Sequence, residues 1–318
     1  MKKDCQCGLL SGGPIRGAAS EQGNGFTLVE LLVVIAVIGI LAALLLPVLL
    51  KSKGKTQGIY CLNNGKQLMT AITLYTGENH DLFPPNPDDA NIIPGHNWCS
   101  GDAGVGRRQE FDSDILKDRT RCLVAPYLSG DVSVFHCPAD SRQGLYQGFD
   151  PKLKGTIVPA ARTISMSQAV GTICPAFDKV KGQHDGAPTL PVNGPWLNNQ
   201  QNHRRDSPWF TYGKMSTIRA PGPAKLWVLI DEDLNNLNDA AFAFGMEQAV
   251  WLDVPGTYHD GGCGFTFADG HSESHRWESP APKKGHRAPV TSQQDFQDWS
   301  WMRERTSANS SGTLPPPR

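Results

Sequence analysis

The sequence predicts an α+β protein: a long N-terminal helix, membrane-spanning in its first half, packed on a small antiparallel sheet with long loops. Three observations lead there. Residues 31–50 form a run of twenty residues without a charge. Beyond it, Ile59, Leu62, Met69, Ile72 and Tyr75 or Thr76 recur at helical spacing, with Lys55, Lys66 and Glu78 off that stripe. From residue 80 to residue 280, glycine and proline interrupt the chain so often that few helices longer than two turns could form.

The elements follow in order. A helix from Phe26 to Leu50 is about 37 Å long at 1.5 Å per residue, more than the roughly 30 Å of a bilayer's hydrocarbon core. Lys2, Lys3 and Arg16 precede it, so that end is expected to stay in the cytoplasm and the chain from Lys51 onward to be exported. The run is too long for an ordinary secretory signal and ends without a small-x-small cleavage site. Glu30 is the one carboxylate just inside it. Burying that charge in lipid is costly, and the positive end of the helix dipole offsets part of the cost. The helix should continue through residues 51–78, weakened or broken at Gly54, Gly58 and Gly65, and stop near Gly77 before Phe83-Pro84-Pro85. Candidate strands in the exported domain, residues 79–280, are 132–136, 163–167, 225–230, 264–268 and 272–277. The last two form a hairpin, with Asp269-Gly270 as a two-residue type I′ turn, Phe265 and Phe267 on one face, and His271, Glu273 and His275 together on the return strand. Residues 281–318 read as an extension with a short helix and a disordered Ser/Pro-rich tail from Ser307.

Gly25-Phe26-Thr27-Leu28-Val29-Glu30-Leu31-Leu32 resembles the N-terminal motif of type IV prepilins and type II secretion pseudopilins, and Pro47 falls where many of them carry a kinking proline. The resemblance implies a pilin-like fold and a leader, residues 1–25, cut between Gly25 and Phe26. It also implies N-methylation of Phe26 by a membrane-embedded prepilin peptidase, and pairing of Glu30 with a neighbouring subunit's N-terminal amine. The partners it implies are the peptidase, other pseudopilin subunits, an inner-membrane secretion platform and membrane lipid. The chain would then be a single-pass inner-membrane protein with a periplasmic domain. Removing the leader takes away a net charge of +1 and leaves −2 from −1, so no nucleic-acid footprint is visible.

A second resemblance covers the rest. His259, nine residues and then Asp269-Gly270 look like the C-terminal signature of a prepilin-type processing-associated domain, as do Cys61-Leu62-Asn63-Asn64, Val134-Phe135-His136-Cys137-Pro138-Ala139-Asp140 and Leu229-Ile230-Asp231-Glu232. Gly65 departs from that pattern, which usually has an apolar residue there.

With Cys5 and Cys7 in the leader, Cys61, Cys99, Cys122, Cys137, Cys174 and Cys263 remain, an even number in a compartment where disulfides persist. No CxxC occurs, and spacing alone argues against a structural zinc site. His259, Asp260, Cys263, Asp269, His271 and His275 fall within seventeen residues and raise metal binding or acid–base chemistry, but a structural hairpin explains them more simply. No cofactor is expected apart from a candidate calcium at Asp231, Asp233 and Asp239, whose alternative is a solvated acidic loop. Two functions fit. One is a non-enzymatic pseudopilin or minor-pilin-like subunit of a periplasmic fibre. The other is an anchored extracytoplasmic binding or enzymatic module that uses the leader only for export.

Overall fold

The computed structural model describes residues 26–205, 208–279, 285 and 287–317. The chain divides into two units, one ending at Leu49 and one beginning at Leu50. The first holds the start of α1 (Leu28–Glu78), a helix long and apolar enough to cross a membrane by length and composition. Its large apolar side chains from Leu28 to Leu46 are exposed on all sides. A helix apolar all round is stable only in lipid or in a bundle.

In the second unit α1 is continuous through Gly54, Gly58 and Gly65, so the expected break is absent. The buried face also differs from the expected stripe. It consists of Gly58, Cys61, Gly65, Leu68, Met69, Ala71, Ile72 and Thr76, while Ile59 is 69% exposed and Leu62 only half-buried. The cause is the surface this helix meets.

That surface is a five-stranded sheet of β1 (Ile164–Ser167), β2 (Trp227–Asp231), β3 (Ala241–Phe242), β4 (Gly262–Phe267) and β5 (Ser272–Arg276), in the order β5-β4-β2-β1-β3. Its pairs are antiparallel except β1 with β3, which is parallel, so the sheet is mixed rather than purely antiparallel. β1, β2 and β4 are buried at every residue. Strand alternation gives β4 two different faces. Gly264 and Thr266 look toward α1: a Cβ on Gly264 would stand 3.4 Å from Cys61 Sγ, and one on Gly65 would stand 2.1 Å from Thr266 Oγ1. Phe265 looks the other way, 4.9 Å between ring centroids from Trp301 of α2 (Gln293–Thr306), with Trp227 and Trp277 about its edges. α2 is capped by Ser292, whose side chain accepts from Asp295 N, and it buries Trp299, Met302 and Thr306.

Three other expectations are corrected. Residues 132–136 do not form a strand: Asp131 Oδ1 accepts from Ser133 N and Oγ, and this turn starts a 3₁₀ segment, Ser133–Phe135, that buries Val134 and Phe135. The hairpin turn is longer than two residues. Phe267 N bonds to His271 O and Gly270 N to Phe267 O, leaving a three-residue loop in which only Gly270 takes positive φ, at 93°. The Asp-Gly pair with left-handed φ at both residues is Asp260-Gly261, at 56° and 77°. Finally, the tail is ordered against the domain. Arg303 donates to Met246 O and Pro315 O, Ser307 Oγ to Phe210 O, and Phe210 N to Ala308 O.

The long loops are stitched by buried charge. Arg162, fully buried, donates to the carbonyls of Ile164, Gly101 and Asp239. Arg142 joins Asp140, Glu110, Ala103 O and Arg162 O. Burial alone would raise the Asp140 carboxyl, but hydrogen bonds from His136 and Arg142 outweigh it and hold the group at about 2.

Gly65→Ala should cost about 1–3 kcal/mol, because Thr266 must give up its 2.9 Å hydrogen bond to Ser272 or shift its strand. Gly54→Ala, with nothing within 4 Å of the new methyl, should instead stabilise by up to about 1 kcal/mol. Thermal unfolding of the two variants in detergent should move in opposite directions; equal shifts would refute the close-contact account. A second prediction concerns acid. With its folded pKa depressed, Asp140 stabilises the fold above its unfolded value of about 3.9, and that contribution disappears as pH falls through about 2. Wild type should therefore lose more stability between about pH 4 and pH 2 than Asp140→Asn does, as read by unfolding midpoints across that range.

Candidate functional site

At the N-terminal end, Gly25 and the leader lie outside the described residues, and description begins at Phe26. Thr27 caps α1. Its N–H and Oγ1 donate to Glu30 Oε2 at 2.9 and 2.7 Å, and Glu30 N donates back to Thr27 Oγ1 at 3.2 Å. This reciprocal Thr-x-x-Glu arrangement is a capping box, in which two otherwise unpaired backbone donors find acceptors. The local spacing Thr27-Leu28-Val29-Glu30 is itself the sequence signature of such a cap. Its effect is to hold the Glu30 carboxylate beside the residue that follows Phe26.

A second site lies in the exported unit. Cys61 on α1, Cys137 after the 3₁₀ segment, Asp231 at the end of β2 and His259 before β4 converge, with one ligand atom from each lying within 4.8 Å of the others. Cys61 Sγ donates to Asp231 Oδ2 at 2.7 Å, His259 Nε2 stands 3.3 Å from Cys137 Sγ, and it is 3.7 Å from Asp231 Oδ2. All four are buried, exposed by 4, 0, 2 and 9% in sequence order. Neighbours hold them in place. Thr163 Oγ1 accepts from Cys137 N at 2.8 Å and donates to Asp231 Oδ1 at 3.4 Å, and Ala139 N donates to Cys137 Sγ at 3.4 Å. Asn64 reaches His136 O, and Gln57 reaches Pro138 O, so α1 grips the loop that carries Cys137.

The cluster polarises its own members. The Cys61 thiol beside it lowers Cys137 to about 7 against the pull of burial and Asp231, with His259 adding to the effect. Cys61 is correspondingly raised, first by its bond to Cys137 and then by burial. Burial alone would lower His259, but its contacts with Asp231 and Cys137 prevail and raise it to about 9. A thiolate beside an imidazolium is chemically a nucleophile pair, yet Cys137 is sealed from solvent, so a substrate has no access. The arrangement suits ion binding or cross-linking better than catalysis.

The structure places the remaining sequence candidates elsewhere. Asp269 Oδ1 accepts from His271 N in the hairpin loop, and Gly270 supplies its left-handed residue. His271 stacks on Phe267 and His275 on Trp301, so the local histidine cluster packs the hairpin rather than forming a site. Of that group only His259 enters the tetrad; it lies 122 positions from Cys137, and Asp231 lies 170 positions from Cys61. The three calcium candidates are not brought together. Asp231 faces Cys61 and Thr163, Asp233 Oδ1 accepts from Asn235, and Asp239 Oδ1 accepts from Ala241 N. All six cysteines are buried free thiols. Cys99 and Cys122 contact each other, Cys174 lies with His96 and His184, and Cys263 Sγ donates to Asp231 O at 3.2 Å.

Comparison with known proteins bears on the N-terminal segment. Residues 23–46 match the prokaryotic N-terminal methylation motif. Over 75 residues the chain is 37% identical to the type II secretion system core protein G of Escherichia coli (strain K12), a stretch that makes up 24% of this chain and 52% of that protein. The chain therefore spans about half the length of the curated relative it matches. No solved structure matches it. With a methylation motif across residues 23–46, a capped apolar helix beginning at Leu28 and this likeness to a secretion core protein, the N-terminal end of the chain is similar to the type IV prepilins and type II secretion pseudopilins.

Proposed function

We propose that the chain is a pseudopilin- or minor-pilin-like structural subunit. A prepilin peptidase cuts it between Gly25 and Phe26 and methylates Phe26. It then stands in the inner membrane with its N-terminus cytoplasmic and residues 51–318 in the periplasm, and it enters a short fibre with other pseudopilin subunits at a secretion platform. Its role is assembly rather than catalysis.

The observation that carries this reading is the capping box. Thr27 fixes the Glu30 carboxylate at the helix start, so a cut after Gly25 creates an α-ammonium on Phe26, the residue next to the carboxylate's own tether. In lipid such a charge needs a partner, and a neighbouring subunit's ammonium in a packed helix bundle supplies one. The exposed apolar flank of α1 gives that bundle its surface.

Glu30→Gln separates capping from charge, because Gln also completes a capping box. The variant should insert, be cut and carry a domain whose stability is within about 0.5 kcal/mol of wild type. Association should nevertheless weaken by about 3–5 kcal/mol, the cost of leaving a buried charge unpaired. Cysteine cross-linking along residues 31–38 of neighbouring subunits reads this directly. Wild-type cross-linking and secretion in the Gln variant would favour the anchored-module reading instead. Gly25→Val tests the cut itself: N-terminal mass spectrometry should find Phe26 first in wild type and an uncut, unmethylated chain in the variant.

A further inference from the structure

Cys61, Cys137, Asp231 and His259 come from a helix, a loop, a strand end and a turn, and nothing in the proposed assembly role uses them. Two sulfurs, one carboxylate oxygen and one imidazole nitrogen face a common point in a dry interior. We propose that these four side chains are the ligands of one divalent ion of the zinc class, which fastens α1 to the exported sheet.

The donor set chooses the ion. Thiolate and imidazole ligands suit zinc and not calcium or magnesium, which take oxygen donors. Geometry agrees. Zinc–sulfur distances of about 2.3 Å and zinc–nitrogen or zinc–oxygen distances of about 2.0–2.2 Å put tetrahedral donors roughly 3.3–3.8 Å apart. The Cys137–His259 and His259–Asp231 separations, 3.3 and 3.7 Å, fall within that span. The Cys61–Asp231 contact at 2.7 Å is shorter and must widen by somewhat less than about 1 Å when an ion takes the centre. Four protein ligands close the coordination sphere and leave no position for substrate, which marks a structural site.

The surroundings are those of a ligand shell. Thr163 Oγ1 bridges Cys137 N and Asp231 Oδ1, and an N–H···S bond from Ala139 steadies the Cys137 sulfur. His259 Nδ1 is buried without a hydrogen-bond partner among the described residues, so the ring is held by packing rather than by the outer hydrogen bond usual for a ligating imidazole. Gly58, whose added Cβ would lie 3.5 Å from the His259 ring, lets the imidazole lie against α1. Binding needs both sulfurs as thiolates and a free lone pair on Nε2, so whatever protons these atoms hold leave to solvent as the ion enters. The bound charge is then that of a divalent cation with two thiolates and one carboxylate, a net −1.

The test uses the full chain, carried on a tag without histidine and purified from membranes in detergent. Elemental analysis should give about one zinc per chain. The ion should be absent from Cys137→Ser and His259→Ala, and retained in Cys99→Ser. Exchange for Co²⁺ should produce sulfur-to-cobalt charge-transfer absorption and the intense visible bands of a tetrahedral site. If the ligand variants fail to fold, the cobalt spectrum of the wild-type chain decides alone. Three outcomes overturn the proposal: a Cys61–Cys137 disulfide in chains alkylated before unfolding, reduced chains that take up neither Zn²⁺ nor Co²⁺, or zinc retained in folded His259→Ala.

Discussion

The second half of α1 lies close on β4 because both surfaces carry only glycine and small side chains where they meet. Gly58, Cys61 and Gly65 form one row on the helix, and Gly264 and Thr266 form the opposing row on the strand. A single methyl at Gly65 would fall 2.1 Å from Thr266 Oγ1, far inside contact distance. Glycine in a helix interior costs about 1 kcal/mol in propensity, and here that cost is repaid by an approach that no larger residue permits. The large apolar residues then start one turn later, at Leu68, Met69 and Ile72, where the helix meets the main core.

Everything above β4 follows from the asymmetry of that strand. One face carries glycine and threonine toward α1, and the other turns Phe265 toward the indoles of Trp227, Trp277 and Trp301. The thin face sets the height of the helix and brings the Cys61 sulfur down to the end of β2. The thick face recruits α2 and, through Arg303, the C-terminal tail. Loops between these layers are held by guanidinium groups of Arg142 and Arg162 donating to carbonyls that no strand pairs.

The N-terminal end obeys a different constraint. A helix apolar on every side has no core to choose a face for it, so lipid and neighbouring helices must. Among the described residues of this segment the Thr27–Glu30 cap is the one polar device, and it serves the helix start.

Local chemistry was legible in the sequence and long-range juxtaposition was not. The charge-free run, Gly25-Phe26 at the methylation motif, the helix end near Gly77 and four of the five expected strands depend on periodicity, proline and residue type within a short window. Met69, Ile72 and Thr76 lie on the buried face of α1 as their spacing predicts, but Ile59 and Leu62 do not, because the rule of large apolar residues fails where the partner strand is itself made of small ones. Residues 132–136 were misread because an Asp131 turn outcompetes alternation over five residues. The Asp-Gly pair that takes left-handed φ throughout is Asp260-Gly261 rather than Asp269-Gly270, a choice made by the register of β4 with β5. The tetrad lay furthest from view. Cysteine spacing argued against zinc because such spacing is a local signal, whereas Cys61, Cys137, Asp231 and His259 meet only after the helix has settled on the sheet.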